Sequence, residues 1–292
     1  MTKVIIITPA GRKNTLSILK TWLERSFTLF PITLFHEWHL LVNTKDKNDL
    51  DYIKELTRNN PWIKAVEHNP TDIQDGIAGI GTHLVNYPWE DNTIYLRLDD
   101  DIVYIPPYSI AEVVNTVVNA ESDVLFVSCN VINNAICAYY QQQNNLIPKK
   151  FGIIQPLRGC PLVWNTPKFT EKLHYKFINT LDFVSLSHTT SNKNYFEMPD
   201  YVLTHNQIPD GISTNAIAFF GKNIKKAISI CKNGFLHREE RAISIDAPKE
   251  LEMKIMIAGK AIVSHYSFFT QKEYLDNNTD ILLSYKHIAE FG

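Results

Sequence analysis

Five apolar runs, separated by segments with helical spacing, constrain this chain more than any other feature. They are KVIIIT (3–8), EWHLLVN (37–43), WIKAVEH (62–68), TIYLRL (93–98) and DVLFVSCN (123–130). Rich in β-branched residues and nearly unbroken in apolar character, they have the pattern of strands buried on both faces. After the first run, Leu16, Leu19, Trp22 and Leu23 recur at helical spacing, with Asn14 placed to cap them. DLDYIKELTRNN (49–60) is a second helix stopped by Pro61, residues 75–87 form a third, weakened by glycine, and YSIAEVVNTVVNAE (108–121) a fourth. Such alternation implies right-handed crossovers. The expected fold class is α/β, with a Rossmann-like, mostly parallel central sheet flanked by helices. Ligands of such sheets bind at the carboxyl ends of strands, so residues 8–12, Asn43–Thr44 and Asp99–Asp101 should face one crevice.

From about residue 131 the rhythm breaks. The polar NNAIC and QQQNN stretches and RGCPLVWNTP suggest irregular loops, with helices near 169–178 and 223–232. Order resumes with a strand over 260–266 and an amphipathic helix from about 278, whose Ile281, Leu282, Tyr285, Ile288 and Ala289 share a face. No linker divides the chain, which favours one domain over residues 1–292.

A net charge of −2 provides no field for nucleic acid or an anionic membrane. Cys129, Cys137, Cys160 and Cys231 lack metal-type spacing and suit reduced thiols of a cytoplasmic protein. No apolar run approaches a membrane span, so a cytoplasmic enzyme, at most peripheral to a membrane, is expected.

Asp99–Asp100–Asp101 follow the fourth run directly. In an extended stretch residues i and i+2 point the same way, so Asp99 and Asp101 should share a face with Asp100 opposite. Two carboxylates on one side suit a hard divalent cation completed by phosphate and water, Mg2+ or Mn2+ rather than calcium. A solvated aspartate-rich turn is the plain alternative, which the apolar flanks YLRL and IVYI oppose. Arg97, odd inside an apolar strand, is placed to pair with Asp99 or Asp100.

A first strand ending in a short Pro/Gly/Arg turn, followed by RLDDDIVYI after the fourth strand, resembles the nucleotide-sugar-dependent glycosyltransferases of the GT-A fold with a DxD motif. The segments DGISTNAIAFFG (210–221), HREERAISIDAPKEL (237–251) and AIVSHYSFFTQ (261–271) look like C-terminal pieces of bacterial and large-virus members. The resemblance implies a nucleotide-sugar half (1–130) and an acceptor half (131–292). It implies Asp101 as metal ligand, Asp99 near the ribose or the metal's waters, and His265 completing the metal shell. A core strand histidine is an equal alternative for His265. Thr8, Pro9, Ala10, Gly11 and Arg12, with Asp99 and Asp100, would receive the nucleotide. Gly11 would permit close approach, and Arg12 would offer a fork to phosphate or base. Glu240, then Glu239, with Asp246 in reserve, are candidates for the general base of an inverting transfer. Acids opening a helix also have an electrostatic explanation in the helix dipole. Trp164 and the pair Phe219–Phe220 are candidates for a sugar-stacking floor, Arg158 and Gly159 for the acceptor cleft, and Asp210 for a turn.

The expected activity is therefore metal-dependent transfer of a sugar from a nucleotide diphosphate donor, a UDP-sugar by preference, to a glycan hydroxyl. Three rivals remain. One is a haloacid-dehalogenase-type phosphatase with Asp99 as nucleophile, although that motif normally ends a first strand and no GDxxxD segment follows. A sugar nucleotidyltransferase would want a longer glycine-rich loop than TPAGRK. A non-catalytic sugar-binding protein is the third.

Overall fold

The computed structural model describes residues 2–30, 34–67, 77–181 and 196–292. The first half follows the expected alternation: β1 (Val4–Ala10), α1 (Lys13–Leu29), β2 (Glu37–Val42), α2 (Lys47–Asn59), β3 (Ile63–Val66), α3 (Ile77–Asn86) and β4 (Ile94–Leu98). The start of the predicted third helix, before Ile77, lies outside the described residues. Then come β5 (Ile102–Tyr104), α4 (Pro107–Asn119), β6 (Val124–Ile132), α5 (Ala135–Gln143), α6 (Pro161–Trp164) and α7 (Pro167–Ile178). The chain ends with β7 (Tyr201–Leu203), β8 (Ala216–Phe220), α8 (Gly221–Arg241), α9 (Ala247–Glu250), β9 (Lys254–His265), α10 (Phe269–Asn278) and α11 (Ile281–Phe291).

The strands join in one sheet of order β3-β2-β1-β4-β8-β6-β9-β5, with β7 also paired to β9. Strands β1, β2, β3, β4, β6 and β9 run one way; β5, β7 and β8 run against them. The sheet is thus mostly parallel in direction and takes strands from both halves of the chain. The apolar runs fill its middle, with Ile5, Ile6, Ile7, Leu40, Leu41, Ile94 and Leu96 all buried. Two sets of helices flank it: α1 packs against α2, α4 and α11, and α3 packs against α8, which continues onto α9.

Several details differ from expectation. Helix α1 starts at Lys13, so Asn14 lies inside it and no side chain caps it. The stretch NNAIC…QQQ forms α5 rather than a loop, because the Asn134 side chain accepts from the amides of Ile136 (3.2 Å) and Cys137 (3.3 Å) and starts the helix. AIAFF becomes a strand, β8, inserted antiparallel between β4 and β6. Strand β9 begins earlier than predicted and slips register against β6 between Cys129 and Asn130. There the Asn130 side-chain amide donates to the carbonyls of Phe196 (2.9 Å) and Gly259 (2.8 Å). Among the described residues no helix is long and apolar enough to cross a membrane, and no cysteine is in a disulfide.

Candidate active site

The carboxyl ends of β1 and β4 open into a cavity of about 720 Å³. Its lining includes Pro9, Gly11, Arg12, Asn43, Asp99, Asp100, Asp101, Glu239, Glu240 and His265, so one crevice gathers most of the predicted site. Thr8 and Ala10 do not reach it. Both are buried in β1, and the Thr8 hydroxyl accepts from the Trp38 indole at 3.0 Å. The strand runs two residues further than predicted, and its alternation sends those two side chains into the core.

The acidic triplet is a turn, with the Ile102 amide donating to the Asp99 carbonyl at 3.1 Å. This corrects the extended reading, which set Asp100 opposite the other two; all three line the cavity. Asp100 and Asp101 instead share Arg12. The guanidinium donates to Asp100 Oδ1 from Nε at 2.6 Å and to Asp101 Oδ2 from Nη1 at 2.7 Å. The Gly11 amide donates to Asp100 Oδ2 at 2.8 Å. Gly11 matters for a reason other than ligand approach: a Cβ there would lie 3.0 Å from the Asn43 carbonyl oxygen, where β1 and β2 end side by side.

Asp99 belongs to a second, arginine-centred group. Buried Arg97 donates from Nη2 to Asp99 Oδ1 (3.3 Å) and Glu239 Oε1 (3.1 Å), and from Nη1 to Thr214 Oγ1 (2.8 Å). Asn215 donates to Asp99 Oδ2 at 3.2 Å. The antiparallel pairing of β8 with β4 sets Ile217 opposite Arg97 and Ala216 opposite Leu98, which brings Thr214 and Asn215 level with the acidic turn. The predicted pairing of Arg97 with Asp99 is present. Its second partner, Glu239, comes from a helix far along the chain.

Glu239 and Glu240 sit where α8 loses helical geometry at Arg238 (φ −149°, ψ 69°), so they open a fresh helical segment. Glu239 turns inward to Arg97. Glu240 faces the cavity, accepting from Arg158 Nη1 at 2.6 Å and from the Thr214 amide at 3.1 Å. Asp246, the reserve base, is not part of the lining; it pairs with Arg241, which is.

His265 is delivered by β9, whose pairing sets it opposite Ile102, with the Tyr266 amide donating to the Asp101 carbonyl at 2.9 Å. Its Nε2 lies 3.3 Å from Asp101 Oδ2. Burial alone would raise the Asp101 carboxyl, but Arg12 and His265 hold it below the usual range. Burial would likewise lower His265, and Asp101 raises it. Burial pushes Asp99 up to about 6 against the pull of Arg97.

Asp101 Oδ1 is a buried carboxylate oxygen without a hydrogen-bond partner. With His265 Nε2 beside its other oxygen, Asp101 is the carboxylate of the turn with an oxygen left to meet a cation. Among the described residues no three acidic, histidine or cysteine side chains form a ready metal cluster, and Arg12, Arg97 and Asn215 engage the carboxylates.

Trp164 lines the cavity, stacked on Phe268 and edge-on to Phe269. Phe219 and Phe220 do not. Phe219 belongs to the buried cluster of Trp89 and Tyr95, and Phe220 ends the strand beside Lys222. Gly159 and Asp210 are exposed and outside the lining, while Arg158 is within it. Thr214, Asn215, Arg238, Arg241, Ser267, Phe268 and Phe269 are lining residues that the sequence patterns did not single out.

No family model matches the chain, and no curated protein matches it in sequence. Solved structures do resemble it. A 4-diphosphocytidyl-2C-methyl-D-erythritol synthase from Anaerococcus prevotii is 10% identical with a TM-score of 0.44, over 98% of both chains. An active-site mutant of LgtC is 12% identical with a TM-score of 0.37, over 89% of this chain and 72% of the other. Mouse xyloside xylosyltransferase 1 in its apo form is 10% identical with a TM-score of 0.35, over 100% of this chain and 84% of the other. At such scores no residue role, ligand or activity is taken from them.

Proposed function

We propose that the chain is a glycosyltransferase that moves a sugar from a nucleotide diphosphate donor, by preference a UDP-sugar, to a hydroxyl of a glycan. One observation carries this reading. A single cavity holds the acidic turn Asp99–Asp101 with Arg12 on one wall and the carboxylate of Glu240 on another. The first group suits a diphosphate, and the second suits a hydroxyl that must lose a proton. A mixed-charge cleft at the ends of parallel strands is where such a donor is expected to lie.

Arg12 is exposed enough to turn its fork toward phosphate oxygens. Asp99, with one oxygen held by Asn215, stands where a ribose hydroxyl would meet it. Glu240 acts as general base: the acceptor oxygen bonds to the anomeric carbon as the bond to the diphosphate breaks, and the hydroxyl proton passes to Glu240. A single displacement of this kind inverts the anomeric centre. Glu239, buried on Arg97, holds the opposing wall in place. Asp101, Asp99 and His265 would hold a Mg2+ or Mn2+ ion, which when bound neutralises charge on the leaving diphosphate.

The test is a panel of nucleotide sugars with glycan acceptors, with and without Mn2+, read by release of nucleoside diphosphate. Acceptor-dependent release that Asp101→Asn abolishes, in a variant that still folds, is the expected result. Inorganic phosphate from a phosphomonoester would point instead to Asp99 as a phosphatase nucleophile. Turnover of neither, with sugar binding retained, would leave a binding protein.

A further inference from the structure

We infer that Trp164, Phe268 and Phe269 form an acceptor subsite for the C–H face of a pyranose ring, making the acceptor a carbohydrate rather than a lipid alcohol or a protein hydroxyl. This rests on the transferase reading above. Phe269 is 80% exposed although it lines the cavity, so a whole aromatic ring stands in water at the site. Trp164 stacks on Phe268 with ring centroids 4.0 Å apart and planes at 27°, and Phe269 meets Trp164 edge-on at 6.2 Å and 77°. Trp164 and Phe269 thus form a step of two ring surfaces, with Phe268 behind.

The segments that carry the step are tied together by hydrogen bonds. Helix α6 is a single turn whose last carbonyls need donors, and α10 supplies them. Thr270 Oγ1 donates to the Trp164 carbonyl at 2.5 Å, and Gln271 Nε2 donates to the Val163 carbonyl. The other end of that buried amide, Gln271 Oε1, accepts from the Phe268 amide and from Asn133 Nδ2, both at 3.0 Å. A buried polar network therefore fixes the two aromatic-bearing segments against each other.

The surroundings select the ligand. A sugar ring pairs an apolar C–H face with a rim of hydroxyls. Beside the aromatic step the cavity presents Arg158, Glu240, Arg241 and Ser267, a rim of donors and acceptors. The comparison ligands of the test therefore include an alkyl alcohol, since apolar surface also lines the cavity. Arg158 links the step to the reaction centre, because it binds the proposed base, Glu240, at 2.6 Å.

The experiment measures binding of methyl glycopyranosides and their disaccharides to UDP-loaded protein by saturation-transfer NMR, with octanol and a serine-containing peptide as comparison ligands. UDP affinity is measured separately by calorimetry. Ring C–H protons should receive the saturation. Affinity should fall about tenfold in Phe269→Ala and in Trp164→Ala, and stay within about threefold in Trp164→Phe. Phe269→Ala keeps the test informative should Trp164→Ala fail to fold, since so exposed a ring contributes little to packing. Glycoside binding undiminished in Phe269→Ala, or octanol or peptide occupying the step in preference, overturns the inference. Absence of UDP binding with glycosides still bound to the step would sink the transferase reading while leaving the sugar subsite standing.

Discussion

Replacing Arg97 with methionine tests how the two walls of the cavity are joined. Arg97 is buried in the middle of β4 and holds Glu239 Oε1 at 3.1 Å and Asp99 Oδ1 at 3.3 Å. The two carboxylates are not equally protected. The Asp99 side chain is 22% exposed and keeps Asn215, whereas that of Glu239 is 5% exposed. Removing the cation therefore strands Glu239 in a poorly solvated position, while Asp99 can rehydrate. Breaking a buried ion pair from one side costs about 3–5 kcal/mol. For a chain of 292 residues the unfolding entropy is about 0.6 kcal/mol/K, so Arg97→Met should lower Tm by about 5–8 °C. Arg97→Met/Glu239→Met removes both charges, and it should recover at least about 2 kcal/mol relative to the sum of the single losses. Differential scanning calorimetry of the four proteins at pH 7 measures this. A single-variant shift below about 2 °C, or losses that simply add, would refute the view that Arg97 is the electrostatic tie between Asp99 and Glu239.

Glu240→Gln should lower the rate of sugar transfer by about 10²- to 10⁴-fold while UDP affinity stays unchanged, as steady-state turnover and calorimetry would report. His174 is buried against the Tyr285 hydroxyl and the Tyr266 carbonyl, and burial lowers it to about 3. The unfolded chain, with an ordinary imidazole, binds that proton first as pH falls. Stability contributed above about pH 6.5 is therefore lost progressively toward pH 3, at up to about 1.4 kcal/mol per pH unit. His174→Gln should flatten the fall in Tm between pH 7 and pH 5, and an unchanged slope would count against this. At Gly81, where α3 crosses α8, a Cβ would run into the Phe235 carbonyl. Gly81→Ala should thus destabilise by about 1–3 kcal/mol in urea titrations, although alanine is the better helix former.

The strands of the first half were legible because parallel strands buried on both faces must be written almost wholly in apolar residues. The acidic triplet stood out because three charges follow an apolar run directly, but the turn that it makes did not. What stayed hidden was pairing across distance. Nothing local in AIAFF shows that it enters the sheet between β4 and β6, yet that insertion carries Thr214 and Asn215 to the acidic turn. The partnership of Arg97 with Glu239 spans 142 residues and depends on a helix break at Arg238 that no glycine or proline announces. The expectation that Asp100 points away from the other two failed for a related reason: i, i+2 alternation holds in a strand, and the chain turns at that point. Of the aromatic step only Trp164 was singled out; Phe268 and Phe269 escaped because they follow a strand and gain their meaning only from α6 packing beside them.

The register slip in β9 gives that strand slack. Upstream of it, residues 254–258 follow β6; beyond it, residues 262–264 resume pairing and His265 faces Ile102. The far portion works as a clasp on the acidic turn, insulated from the near portion's alignment. An extra residue within 258–261 would have to spare Gly259, which Asn130, Met198 and Asp200 hold by its carbonyl and amide, for the histidine to stay beside its aspartate. The same insertion after Ile262 would flip the imidazole to the opposite side of the sheet and open the clasp.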